Sequence, residues 1–351
     1  MKKLSMKTLS VFLLSFMCLS AIAAPATVEE AKRRLSRYPG KLNGIEKLAR
    51  AIGDSTIVAD VTSIRTKIMS AINQATGMGS VDIDAVEADV EKNIYKAINS
   101  IYQQSIPLAA KTSLKEKVDN LSALVPWNKK LIWNADKTHI LMTTWIPASY
   151  KGTYEPALGK PLKISWNAWV TAVPEIKDFL KQYLASEKNS FNLTDRLEQF
   201  LGLYPSKPPY AKSQTKLFVD MWVRPEDIFR PCLDSEVIDT ECIYDPSGPD
   251  AAKLPPAFRD MSKFVTMTPE YKTWFAKEKN EKYSGEWAMP WTRFGYTYDW
   301  GSLKQTAGKR AAQGASEYGV KPGSTVIVHS IISTDDYPNA PTPKSGYVYQ
   351  E

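Results

Sequence analysis

Apolar residues in the first third of the chain recur at helical spacing. Ile57, Val61, Ile64, Ile68 and Ile72 fall on one face, and Ile83, Val86, Val90, Ile94, Ile98 and Ile101 on another. This is the i, i+3, i+4 pattern of helices that bury one stripe. "TGMGS" at 76–80 separates the two. The pattern holds for under three heptads, so an antiparallel hairpin packed on a third helix is expected before a dimerising coiled coil or a partner-binding arm. Upstream, Thr27 with Glu30 and Asn43 with Glu46 have capping-box spacing, in which side chain and backbone satisfy each other's free groups at a helix start. "YPG" at 38–40 is expected to stop the first helix. Pro107 is expected to end the second long one, before a weaker helical stretch around Leu114, Val118 and Leu121 that runs to Pro126.

From Trp127 onward the period changes. "HILMTTW" from His139, "LKISWNAWVTAV" from Leu162, "KLFVDMWV" from Lys216 and "STVIVHSIIS" from Ser324 are β-branched and aromatic runs bounded by Pro, Gly or Asn, which predicts strands. Helices are predicted between them: "PEIKDFLKQYLA" opens on Pro174, a favoured first helical residue. "LTDRLEQFLGL" closes at Gly202, and "TPEYKTWFAKEKNEKY" has Thr268 as its cap. The polar loop from Pro246 to Pro256 points to irregular connections rather than a repeating βαβ pattern.

The expected fold class is therefore α+β: an N-terminal helical hairpin or small bundle, then a mixed, mainly antiparallel β domain with helices and one disulfide. Composition marks the same boundary. All ten tryptophans lie between Trp127 and Trp300. The expected organisation is a leader at 1–23, a helical region at 24–125, an aromatic-rich α+β domain at 126–337 and a loose tail at 338–351.

The leader is read from Lys2, Lys3 and Lys7, the apolar run from Val11 to Ile22, and the small residues Ala21 and Ala23, the layout of a cleavable signal peptide. The run is too short to span a bilayer. An exported, periplasmic or extracellular protein is expected, with no membrane span. Cys18 would leave with the leader, so Cys232 and Cys242 form an even pair in an oxidising compartment and are expected to be bonded. Of the formal charge of +7, three units belong to the leader lysines, leaving +4. With no basic stripe interleaved with aromatics, nucleic acid is not expected as a partner.

Recognisable catalytic motifs are missing. There is no H-E-x-x-H helix, P-loop or G-x-G-x-x-G, and "GASEYG" at 314–319 lacks the spacing of a nucleophile elbow. His329 lies in an apolar strand and His139 opens one; both are read as structural. No cofactor and no metal are expected, since "DSEVIDTE" lacks the glycine of a calcium loop. Carboxylates remain. Asp220, Glu226, Asp227 and Asp299 are the candidate catalytic residues, because glycoside hydrolysis needs two carboxylates about 5–10 Å apart across a cleft. Arg224 and Arg230 flank two of them, so surface ion pairs explain those charges equally well. In "PWTRFGYTYDWG" at 290–301, Tyr296, Tyr298 and Trp300 share one face of an extended segment. That row is either sheet core or a platform for sugar rings or a partner, which makes these three the candidate binding residues. Two functions stay open: an exported binding or interaction protein with an envelope, host or polysaccharide partner, and a secreted hydrolase acting on glycans.

"WNAWVTAVPEIKDF" at 166–179, "LTDRLEQFLGL" at 193–203, "FVDMWVRPEDIFRPCLDSEVIDTEC" at 218–242 and "MPWTRFGYTYDWG" followed by "GASEYGV" resemble a pattern that recurs in exported bacterial proteins. The resemblance covers roughly residues 163 to 334. It implies that the C-terminal domain is a unit to which the helices are an addition, and it carries no activity and no catalytic residue with it.

Overall fold

The computed structural model describes residues 27–76, 81–110, 118–186, 190–207, 215–232, 235–242, 268–285, 288–303 and 312–346. The leader, "TGMGS" apart from Thr76, Leu114 and the Pro246–Pro256 loop lie outside the described residues.

Four helices come first: α1 (Val28–Leu35), α2 (Tyr38–Ile52), α3 (Ser55–Thr76) and α4 (Ile83–Ala110). Thr27 caps α1, its side chain accepting from the Glu30 N–H at 3.2 Å. The predicted stripes are the buried ones: Ile57, Val61, Ile64 and Ile68 of α3 meet Val90, Ile94, Ile98 and Ile101 of α4. Salt bridges stitch α1 to α4, with Arg34 between Asp84 and Glu87.

Four expectations fail here. "YPG" begins α2 instead of ending α1, with Pro39 in the first turn, where its missing N–H leaves no hydrogen bond unmade. Asn43 is thus mid-helix and no cap, and its Oδ1 accepts from Arg65 at 2.7 Å. Pro107 does not end α4. The last turn continues because Ile106 and Ala109 are buried, and apolar burial outweighs one lost backbone bond. Beyond it Val118 bridges Cys242 in extended form, so residues 118–126 are not helical.

The second part is a seven-stranded, wholly antiparallel sheet. Its strands are β1 (Ile140–Pro147), β2 (Pro161–Lys163), β3 (Ala168–Ala172), β4 (Lys216–Val223), β5 (Ile228–Phe229), β8 (Tyr318–Val320) and β9 (Thr325–Ser333), in the order β2-β9-β4-β1-β3-β8-β5. A two-stranded ribbon pairs β6 (Tyr296–Tyr298) with β7 (Gln313–Ser316). The run from Leu162 is two strands, not one. Helices α5 (Lys151–Tyr154), α6 (Val173–Ser186), α7 (Leu193–Phe200) and α8 (Pro269–Tyr283) complete the fold.

Alternation along the strands gives the sheet two faces. Met142, Val219, Met221, Val223, Val326 and Val328 face a core with Trp133, Tyr154, Ile164 and Tyr318. Phe218 faces the other way, under Ile176 and Leu180 of α6. Gly319 has no substitute: a Cβ there would come within 2.3 Å of the Phe229 ring. Cys232 and Cys242 form the expected disulfide, both buried. Beside it the fully buried Arg230 donates to the Glu241 and Asp239 carbonyls, holding the cross-linked loop against the strands.

The two parts share a core. Tyr298, Trp300 and Ala312 lie in the same apolar cluster as α1–α4, and Tyr102 of α4 donates to the Ala288 carbonyl at 2.9 Å. Lys41 of α2 pairs with Asp195 of α7 at 2.7 Å. The tail, expected to be loose, is fastened as far as Gly346. Lys177 Nζ donates to the Ala340 carbonyl at 2.9 Å and Thr342 Oγ1 at 2.8 Å, and Gly346 N–H to the Trp133 carbonyl at 2.8 Å. No described helix is long and apolar enough to cross a membrane.

Candidate functional site

The four acidic candidates do not converge. Asp220 is buried within β4 on the α6 face, where Tyr337 Oη donates to it at 2.7 Å and Ser330 Oγ at 3.1 Å. Burial holds its carboxyl above the ordinary range, against those donors and the nearby Lys177 charge. Asp299 is buried as well, gripped by both terminal nitrogens of Arg196 at 2.7 Å each. Glu226 pairs with Arg224 at the surface. Asp227 is the next residue, its carbonyl accepting from Lys321 N–H at 2.8 Å. None of the four lines the groove described below.

The aromatic row is not a platform. Tyr296, Tyr298 and Trp300 are 4%, 4% and 1% exposed, so the candidate binding residues are core. Nor do they share one face: the β6–β7 register shifts between Tyr296 and Tyr298. Tyr296 packs with the disulfide, whereas Tyr298 and Trp300 join the helical core.

A second bulge moves His329. The β4–β9 register slips at Asp220/Met221, and Val328 and Ile331 both join the same core face. With two residues between them, His329 and Ser330 both turn to the α6 face beside Asp220, which simple alternation from Ile331 does not allow. Burial lowers the imidazole pKa and Asp220 opposes that; the ring packs edge-on to Trp222 at 5.8 Å. His139 Nδ1 meets Thr138 Oγ1 at 2.8 Å in a turn around Asn134. Among the described residues no cluster of His, Cys, Asp and Glu has metal-binding geometry.

The feature that does collect chemistry is a groove of about 380 Å³, within the usual range of ligand sites. It opens where the sheet splits. The β1–β3 ladder contains only Met142↔Ala172 and Thr143↔Thr171, after which β1 stays with β4 and β3 with β8. Because the gap is in the sheet itself, residues from both faces line it. Thr144, Ile146, Tyr154 and Trp166 come from one side; Trp145, Phe218, Leu203 and Trp291 from the other. Trp166 forms an exposed rim, 40% accessible, edge-on to Tyr154 at 6.4 Å.

One wall is charged. Glu317, between β7 and β8, accepts from Trp291 Nε1 at 3.1 Å. It keeps a partial opening to the groove, yet the protein packed around it pushes its pKa up to about 7, against the pull of Lys282 and the Trp291 donor. Lys282 pairs with Glu278 at 3.7 Å and lies 5.6 Å above the Trp169 ring. Thr171 also lines the groove, and its buried hydroxyl has no hydrogen-bond partner among the described residues.

Glu317 lies inside "GASEYG", where sequence reasoning looked for a serine and passed over the glutamate. Of the groove tryptophans, Trp145, Trp166 and Trp169 read from the sequence only as residues of predicted strands. Comparison of the chain with protein-family models, curated proteins and solved structures finds no match.

Proposed function

We propose that the protein is an exported binding protein and that the split-sheet groove is its ligand site. The observation that carries this is the groove itself: apolar walls from both faces of the sheet, exposed Trp166 at the rim, and a few polar groups, Glu317, Lys282 and Thr171, at fixed places. This is the makeup of a recognition site. Export is supported by the buried disulfide and by the leader expected at 1–23. None of the four acidic candidates lines the groove, so a glycan hydrolase working there would have to run through Glu317, whose pKa burial pushes up to about 7; that observation keeps hydrolysis as the second reading.

The test is a titration of the protein with oligosaccharides and short peptides, read by tryptophan fluorescence, beside Trp166→Ala. A ligand of the groove should bind at least tenfold more weakly to Trp166→Ala, since removing a hot-spot aromatic costs about 2 kcal/mol or more. Equal binding by both proteins would remove the groove from the function. Turnover of an oligosaccharide that Glu317→Gln abolishes would establish the second reading instead.

A further inference from the structure

The hydrogen-bond directions along β1 can be followed residue by residue. Just past the ladder, Ala148 N–H donates to the Thr215 carbonyl at 2.7 Å, in register with Pro147↔Lys216. Antiparallel strands alternate between pairs that exchange hydrogen bonds and pairs that do not. Ile146, Thr144 and Met142 therefore bond β4, while Leu141, Thr143 and Trp145 point their N–H and C=O away from it. Leu141 agrees, donating to the Ile132 carbonyl at 2.9 Å. Thr143 meets Thr171 of β3. Continuing that register, Trp145 would meet Trp169, but the strands have parted. By the same alternation Trp169 turns its N–H and C=O toward β1, because Val170 and Ala168 bond β8 opposite Tyr318 and Val320. Two strand edges thus face each other across the groove, with no strand partner for either among the described residues.

Buried or half-buried backbone groups require partners, and a pair of open edges is completed by a strand. We propose that the groove is a strand-addition site: an extended polypeptide segment of a partner protein enters between β1 and β3 and pairs its backbone with Trp145 and Trp169. The proposal rests on the binding reading above and names the ligand class. Each edge presents one residue's N–H and C=O, Trp145 on β1 and Trp169 on β3, since Thr143 and Thr171 pair with each other and Pro147 has no N–H; a segment between them would meet one residue on each side. The split lies inside the sheet rather than at its margin. A second folded sheet cannot approach it, and a single extended segment can. Alternate side chains of that segment would seat against Tyr154 and Trp166 on one face and Met289 and Trp291 on the other. Lys282 already lies among Glu278 and Glu317, so the wall has little net charge and favours uncharged apolar side chains over acidic or basic ones.

The test uses the whole exported protein and NMR-detected amide hydrogen exchange. In the free protein the Trp145 and Trp169 amides should exchange at least tenfold faster than those of Thr144 and Val170, which lie in ladders. Equal protection would overturn the proposal before any ligand is added. Random heptapeptides displayed on phage are the probe, and selected sequences are synthesised plain and with N-methyl groups at alternate residues. Strand addition predicts at least tenfold slower exchange at Trp145 and Trp169 on binding, and at least tenfold weaker binding after N-methylation, which leaves side chains in place but removes donors. N-methylated peptides that bind as well as plain ones would overturn it. Chitooligosaccharides that bind the groove where no peptide does would overturn the strand and leave the binding function standing. Failure of both ligand classes would overturn both.

Discussion

Replacing Trp300 by alanine tests whether helices and sheet are one cooperative body. The indole is 1% exposed, donates Nε1–H to the Leu203 carbonyl at 2.9 Å, and meets Tyr102 of α4 edge-on at 5.8 Å. Truncating a core tryptophan costs about 3–5 kcal/mol. The stranded Leu203 carbonyl and the lost aromatic pair place this site in the upper half of that range. At roughly 2 °C per kcal/mol for a chain of this size, the midpoint should fall by about 8–10 °C. The tryptophan distribution supplies the assay. Every tryptophan lies at or beyond Trp127, so fluorescence follows the α+β part while far-UV circular dichroism is weighted toward α1–α4. Both probes should melt together in the parent and shift together in Trp300→Ala. A parent that melts in two separate steps, or a variant with an unchanged midpoint, would refute the shared core.

Burial raises the Glu317 pKa to about 7 from an ordinary 4.5. The folded state then binds more protons than the unfolded one between those values, so stability should fall as pH rises from about 4.5 to 7, by up to about 3 kcal/mol before screening through the groove opening. Glu317→Gln should flatten that part of the profile in denaturant titrations followed at several pH values. Tyr337→Phe removes a donor from buried Asp220 and should cost about 1–3 kcal/mol in urea unfolding, with no effect on groove ligands. Replacing Cys232 and Cys242 together by serine frees a loop closed over a separation of 10 residues and should cost about 2.5–3 kcal/mol on the chain-entropy account, measured as a lower denaturation midpoint.

Local chemistry decides several elements, and those are legible in the residues alone. Helices α3 and α4 follow from isoleucines and valines at i, i+3, i+4 spacing, and β1, β4 and β9 from β-branched runs between turn residues. The disulfide follows from the even number of cysteines left by the expected leader cleavage, and the α+β class from the order of these segments. Where Pro107 sits, local chemistry was outvoted, because long-range burial of Ile106 and Ala109 exceeds one missing hydrogen bond. Register belonged to the tertiary structure alone. A slip of one residue at Asp220/Met221 turns His329 and Ser330 to the same face, and another separates Tyr296 from Tyr298; neither leaves a mark in a period-two pattern. The groove is of the same kind. Trp145 and Trp169 read as ordinary strand residues, and only the place where β1 keeps β4 while β3 turns to β8 makes their backbone edges a site. Strand divergence depends on which distant segments each strand pairs with, and that information is not local to either.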